Sequence, residues 1–216
     1  MRPPWFIAAL SAVAGCVDTF SYLTLGHIFT SNLTGNTGVM TIAAVGHNAD
    51  EAMRRGIVIV LFFGGAIVGA GLVDDATQPH QLRRGLFVEA ILLLAVVALA
   101  WGGAGVDPRS AGWFATAALL SVAMGLQNAA LAHPFGEATH TPHLTGPVTD
   151  LGTDLVRWLR APAGAKEPST RRMRRIAGRI VGFAGGGLAG AVLFASAHGL
   201  TPIVPAAALV ALAMRR

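Results

Sequence analysis

Apolar residues in this chain come in long, nearly unbroken runs. They show neither the alternation of a half-buried strand nor the three-to-four spacing of a soluble amphipathic helix. The runs cover residues 4–26, 56–73, 85–103, 111–132 and 176–197, and a shorter one, 201–214, follows. At about 1.5 Å per residue, a helix of about 20 residues crosses the roughly 30 Å hydrocarbon core of a bilayer. The last run is short for that span and would need local thinning of the bilayer, or His198 and Arg215 at its ends. The pattern predicts an all-α fold, a polytopic transmembrane helix bundle with six full spans and two short or re-entrant helices. The two short segments are residues 33–47 (LTGNTGVMTIAAVGH) and 144–159 (LTGPVTDLGTDLVRWL). The second carries Asp150, Asp154 and Arg157 on one stripe, which cannot face lipid cheaply.

Composition agrees with this. Of 216 residues, 53% are apolar and 12% charged, against about 25% charged in a soluble domain. The charges cluster between the runs, and no stretch is long and polar enough for a second domain, so residues 1–216 read as one membrane domain. The net charge of +5 comes from arginines beside apolar spans. Bases in that position meet anionic lipid head groups and set orientation, so the partner they imply is the lipid bilayer and not nucleic acid. The lone Cys16 lies inside the first run and has no intrachain disulfide partner. The first run, lacking a small-residue cleavage site, reads as a retained span.

The basic residues also bear on topology. If both short segments cross, only Arg83 and Arg84 fall opposite the other bases. If neither crosses, Arg54, Arg55 and Arg109 become the exceptions. The count slightly favours eight crossings. In either case the run 166–175 (KEPSTRRMRR) and both termini are expected on the cytoplasmic side.

The two halves of the chain, roughly 1–105 and 110–216, resemble one another. Gly15-Cys-Val-Asp18, His27-Ile-Phe29 and Leu33-Thr-Gly-Asn36 are echoed by Gly125-Leu-Gln-Asn128, His133-Pro-Phe135 and Leu144-Thr-Gly-Pro147. GGAIVGA (64–70) is echoed by GGGLAGA (185–191). An internal repeat is a common feature of secondary transporters. Four crossings per half would leave the halves parallel, and three would invert them.

Asp18 lies deep in the first span, where a charge costs several kcal/mol unless neutralised or paired; such a residue is a functional-site candidate by default. Asn128 is its repeat counterpart, and Gln127 adjoins it. Thr34, Gly35 and Asn36, and in the second half Thr145 and Gly146, resemble helix starts whose free N–H groups could meet a polar or anionic solute. Glu89, near the start of its run, reads as a residue snorkelling to the head groups. Asp154 and Arg157 suit an i, i+3 ion pair. The glycine patches have small-xxx-small spacing for close helix packing. His133, His140 and His143 read as loop residues. No nucleophile–base motif, metal-ligand set or cofactor fingerprint is present, so no cofactor is expected, and an enzyme only where two ionisable groups, for instance Asp18 with Asp150, meet at one substrate.

Gly15-Cys-Val-Asp18, the stretch 22–36 (YLTLGHIFTSNLTGN) and Met124-Gly-Leu-Gln-Asn128 with Thr145-Gly146 resemble the YoaK family, bacterial membrane proteins assigned to a domain of unknown function. The likeness runs over nearly the whole chain. It implies an inner-membrane protein with about six helices and no established substrate. The functional expectation is a small secondary transporter or exporter of an unknown small polar solute, possible as a homo-oligomer. Its substrate-binding set would be Asp18, Thr34, Gly35, Asn36, Gln127, Asn128, Thr145 and Gly146, with Asp18 binding a proton or cation. The competing expectation is a membrane protein that binds a protein or lipid through its basic loop.

Overall fold

The computed structural model describes residues 3–73, 78–103, 107–132, 144–162 and 166–215, and among these all regular structure is helical. The helices are α1 (Pro4–Thr24), α2 (Leu33–Val45), α3 (Ala49–Leu72), α4 (Pro79–Trp101), α5 (Ala111–Ala132), α6 (Thr145–Arg160), α7 (Glu167–Ala197) and α8 (Ile203–Met214). A 3-10 turn, His198–Leu200, joins the last two. Each of the six apolar runs lies in its own helix. Among the described residues α1, α3, α4 and α7 are long and apolar enough to cross a bilayer. α5 has 22 residues and no charged side chain. α4 starts well before its apolar run, because the polar stretch from His80 to Arg84 continues the helix behind a proline in its first turn, a position that tolerates the missing N–H. α7, with 31 residues, is about 46 Å long, so its basic first turns extend past the apolar part.

Helix contacts fix the direction of each crossing. Gly182, Gly186 and Gly190 of α7 sit on Ala8, Ala12 and Cys16 of α1, so these two run parallel. Gly65 and Gly69 of α3 sit on Val122 and Leu126 of α5, so these also run parallel. α1 and α5 run opposite ways, since Gln127 reaches the Leu10 carbonyl and Trp113 reaches that of Leu25. The C-terminal end of α4 meets the start of the last segment, with Gly199 beside Ala100. Arg215 lies over the Trp5 ring at the other end. α1, α3, α4, α5, α7 and α8 therefore traverse the bundle in alternating directions. α2 does not complete a crossing between α1 and α3, and α6 does not complete one between α5 and α7. Six of the eight helices thus run from face to face of the bundle, against the slight preference of the arginine count for eight crossings. The three exceptions that six crossings leave are all paired with acids: Arg54 and Arg55 with Glu51, and Arg109 with Asp50.

The bundle thus has a terminal face, with the start of α1 and the end of α8, and a distal face, with the start of α3 and α5. The two glycine-mediated interfaces are matched step for step. Ala12, Gly15 and Cys16 of α1 meet Gly186, Phe183 and Gly190 of α7, and Val122, Gly125 and Leu126 of α5 meet Gly65, Phe62 and Gly69 of α3. A methyl group on Gly186 or Gly125 would overlap a backbone carbonyl of the partner helix. Small residues here let backbones touch, which is how helices gain packing energy in lipid.

Candidate functional site

In the distal half the chain turns back on itself. After α1, Gly26 (φ 74°) and His27 (φ 66°) are both left-handed, a conformation that is easy for glycine and strained for histidine. The turn sends Ile28, Thr30 and Ser31, all fully buried, back alongside α1 as far as Asp18. The Asp18 carboxylate accepts bonds from Thr30 N (3.0 Å), Ser31 N (2.9 Å) and Ser31 Oγ (2.6 Å). From the other side, Asn36 Nδ2 donates to the Phe29 carbonyl (2.6 Å). Arg55 of α3 donates to Asn36 Oδ1 (3.0 Å), to the His27 carbonyl (3.2 Å) and to Glu51 (2.7 Å). Tyr22 stacks on Phe29 at 4.6 Å. A buried carboxylate with three donors, and a buried guanidinium with an acid and two carbonyl-type acceptors, are fully compensated groups. Together these bonds tie the segment 27–31 to α1, α2 and α3.

The terminal half has a counterpart. Asp154, buried on α6, accepts from Arg172 of α7 at 3.1 Å and from Arg157 at 3.4 Å, and Arg172 also reaches Asp150 at 3.3 Å. The i, i+3 pair expected from sequence is present, with a third residue added.

The centre of the bundle is different. Gln127 Nε2 donates to the Leu10 carbonyl at 3.3 Å, but its Oε1 has no protein partner. The same holds for Asn128 Oδ1 and for the Ser11 and Ser121 hydroxyls, which occupy matching positions on α1 and α5. Glu89 is fully buried, and neither carboxyl oxygen has a partner. It lies near the middle of α4, in a stripe with Leu82, Leu86, Leu93 and Val96, all buried. Its snorkelling role is therefore corrected. The helix begins at Pro79, so Glu89 is central rather than peripheral, and its stripe faces the core.

The predicted site residues separate into three groups. Asp18 and Asn36 meet in the distal knot, and Gln127 and Asn128 lie at the crossing of α1 and α5. Thr34 and Gly35 are exposed at the start of α2, and Thr145 and Gly146 are exposed at the start of α6. The two helix starts do not face one another. α2 packs on α3 and α6 on α7, from opposite faces of the bundle. The α2 cap is Asn32, whose side chain accepts from Gly35 N at 3.1 Å, rather than Thr34. Asp18 and Asp150 lie in opposite halves. His133, His140 and His143 lie outside the described residues. Glu89 is the residue that the sequence pattern undervalues, and its spacing from Leu82, Leu86, Leu93 and Val96 is the signal that could have found it. Among the described residues no group of three His, Cys, Asp or Glu is placed to hold a metal.

An all-helical bundle with apolar spans, close glycine contacts and charges held at its two ends is a polytopic membrane protein. The family model "Protein of unknown function (DUF1275)" matches residues 6–215, and the chain belongs to that family. A relative, "UPF0700 transmembrane protein YoaK" of Bacillus subtilis (strain 168), is 27% identical over 153 residues, 69% of this chain. The match covers 65% of the relative's own length, less than two thirds. No solved structure matches.

Proposed function

We propose that this protein is a small secondary transporter for a polar solute in the bacterial plasma membrane. The observation that supports it best is the cluster of buried, unpartnered groups on the α1–α5 pair. Evolved interiors leave few such atoms without partners, because each costs about 1–3 kcal/mol. Here Gln127 Oε1 and Asn128 Oδ1 are acceptors, and the arginines of the described helices lie toward the bundle's two ends rather than beside them. The site therefore favours a solute that presents N–H or O–H donors over an anionic one.

The architecture supports movement. The matched interfaces α1–α7 and α3–α5 read as duplicated, inverted halves, each pair locked by backbone contact. Rocking one pair against the other across the α1–α5 crossing would expose the central groups first to one face and then to the other. The distal knot and the α6–α7 ion pairs then fix the two ends. The terminal face reads as cytoplasmic, since it carries Arg83, Arg84, Arg157, Arg160 and the bases of 166–175, whereas the distal arginines are neutralised in ion pairs.

A second reading has its own support. Arg157, Arg160, Arg171, Arg174 and Arg175 are exposed on the terminal face, beside an amphipathic α6 that exposes Val148, Leu155 and Leu159. That surface suits a protein or lipid partner. The deciding experiment loads proteoliposomes with isotope-labelled polar bacterial metabolites under an imposed proton gradient and reads vesicle contents by mass spectrometry. Accumulation by wild type that is lost in Gln127→Leu supports transport. No accumulation above empty vesicles, from folded protein and with either gradient direction, overturns it and leaves the basic-face reading.

A further inference from the structure

We propose that Glu89 is the group that binds and releases a coupled proton in the transport cycle, an inference that rests on the transporter reading above. The geometry separates it from every other acid among the described residues. Asp18 has three donors, Asp50 pairs with Arg109, Glu51 with Arg54 and Arg55, Asp150 and Asp154 with Arg172, and Glu167 with Arg171. Asp107 is exposed and accepts from the Arg109 backbone N–H. Glu89 is fully buried and both its oxygens lack a partner.

Among the described residues no charged group on a neighbouring helix bonds to it. α4 packs chiefly on α5 and α8, and neither helix has a titratable side chain along its described length. α3 touches α4 more lightly, and its titratable residues, Asp50, Glu51, Arg54 and Arg55, lie at the distal end. His198 of the 3-10 turn is beyond the end of α4, next to the Gly199–Ala100 contact. On α4 itself, His80, Arg83 and Arg84 are exposed in the first turns.

The level of Glu89 follows from its neighbour one turn earlier. Gly85 lies against Leu126 and Ala130 of α5. Because α4 and α5 run antiparallel, Glu89 sits level with the α5 turn that leads into Gln127 and Asn128. The acid and the proposed solute site therefore share the central layer.

An ionised carboxylate in such surroundings costs several kcal/mol, and uptake of one proton removes the charge. The buried residues of its own stripe, Leu82, Leu86 and Leu93, are apolar, and among the described residues no group of three His, Cys, Asp or Glu is placed to hold a metal cation. A proton is therefore the ion this site suits. It would be taken from water on one face, held as the neutral acid while the solute is bound, and returned to water on the other face. The carboxyl is restored at the end of each cycle.

The test pairs spectroscopy with flux. Infrared difference spectra of the protein in lipid vesicles, recorded across a pH titration, should show a carboxylic-acid carbonyl band that titrates in wild type and is missing in Glu89→Gln. In the same vesicles, Glu89→Gln should lose at least tenfold in gradient-driven accumulation of the labelled metabolites while keeping wild-type helicity. Spectra that are identical in wild type and Glu89→Gln would overturn the proposal. So would a lost band with gradient-driven uptake unchanged. A titrating Glu89 band with no metabolite moved by wild type would instead bring down the transporter reading, and coupling with it, while leaving Glu89 as a proton-binding group.

Discussion

The distal knot and the central layer both place polar side chains inside an apolar bundle, and they do so in opposite ways. In the knot, Asp18 accepts three hydrogen bonds and Arg55 donates to three separate partners. In the central layer, Glu89 makes none and Gln127 leaves its carbonyl oxygen unpaired. Burial alone does not distinguish them, since all four are nearly inaccessible. Partnership does. A compensated buried charge holds structure, because removing either partner leaves the other exposed to the cost of desolvation. An uncompensated one weakens the fold and persists where function requires it. Asp18, the residue of choice from sequence, is among the compensated groups, and Glu89 is among the uncompensated ones.

The comparison is broken most directly at Asp18. Asp18→Ala would strand Thr30 N, Ser31 N and the Ser31 hydroxyl, at about 1–3 kcal/mol for each donor left without a partner. Of all the substitutions proposed, this one should bring the largest loss of thermal stability, read from helix unfolding in detergent. Wild-type stability with lost flux would return Asp18 to the central machinery. Arg55→Met should cost less, about 2–6 kcal/mol, because Glu51 keeps Arg54 while only two groups, Asn36 Oδ1 and the His27 carbonyl, lose a donor. A loss as large as that of Asp18→Ala would mean that the arginine, and not the carboxylate, anchors the loop.

How much of this is legible in the sequence depends on the range of the signal. The six spans are readable because each needs only its own run of apolar residues, and α3 and α7 announce their packing through GGAIVGA and GGGLAGA. The Asp154–Arg157 pair is readable because its partners are three residues apart. The family-like string from Phe29 to Asn36 is readable as special but not as a loop held by Asp18. That contact joins residues a dozen apart across a turn with two left-handed residues, and no periodicity reports it. Arg55 enters the sequence pattern only as a topological exception, since its reach to Asn36 and His27 exists only after α2 and α3 fold together. Glu89 is misplaced from sequence for a simpler reason. The apolar run starts at Gly85, whereas the helix starts at Pro79, and that shift moves the acid from the head groups to the core.

Glu89→Leu sharpens the comparison from the other side. It replaces an uncompensated carboxyl by an apolar group of similar size among leucines. The expected outcome is a gain of about 1–3 kcal/mol, or at least no loss, together with lost proton coupling. A protein that gains stability as it loses activity is the signature of a strained functional group. A clear loss of stability would show that Glu89 has a partner in the membrane and belongs with Asp18.

The smallest effect is expected at a contact that resembles the knot and is not part of it. Arg109 pairs with Asp50 on the distal face, as Arg55 pairs with Glu51 at the same end of α3. Both acids accept from a guanidinium, but the Arg109 side chain is 83% exposed and that of Arg55 only 7%. An exposed pair is screened by water and salt and must order two mobile side chains. Arg109→Ala should therefore leave both the unfolding midpoint and solute uptake unchanged within error, whereas Arg55→Met does not. If Arg109→Ala instead destabilises the protein as much as Arg55→Met, the knot extends to the surface of the distal face. Satisfied bonding there would then depend on the loop before α5 as well as on α1, α2 and α3.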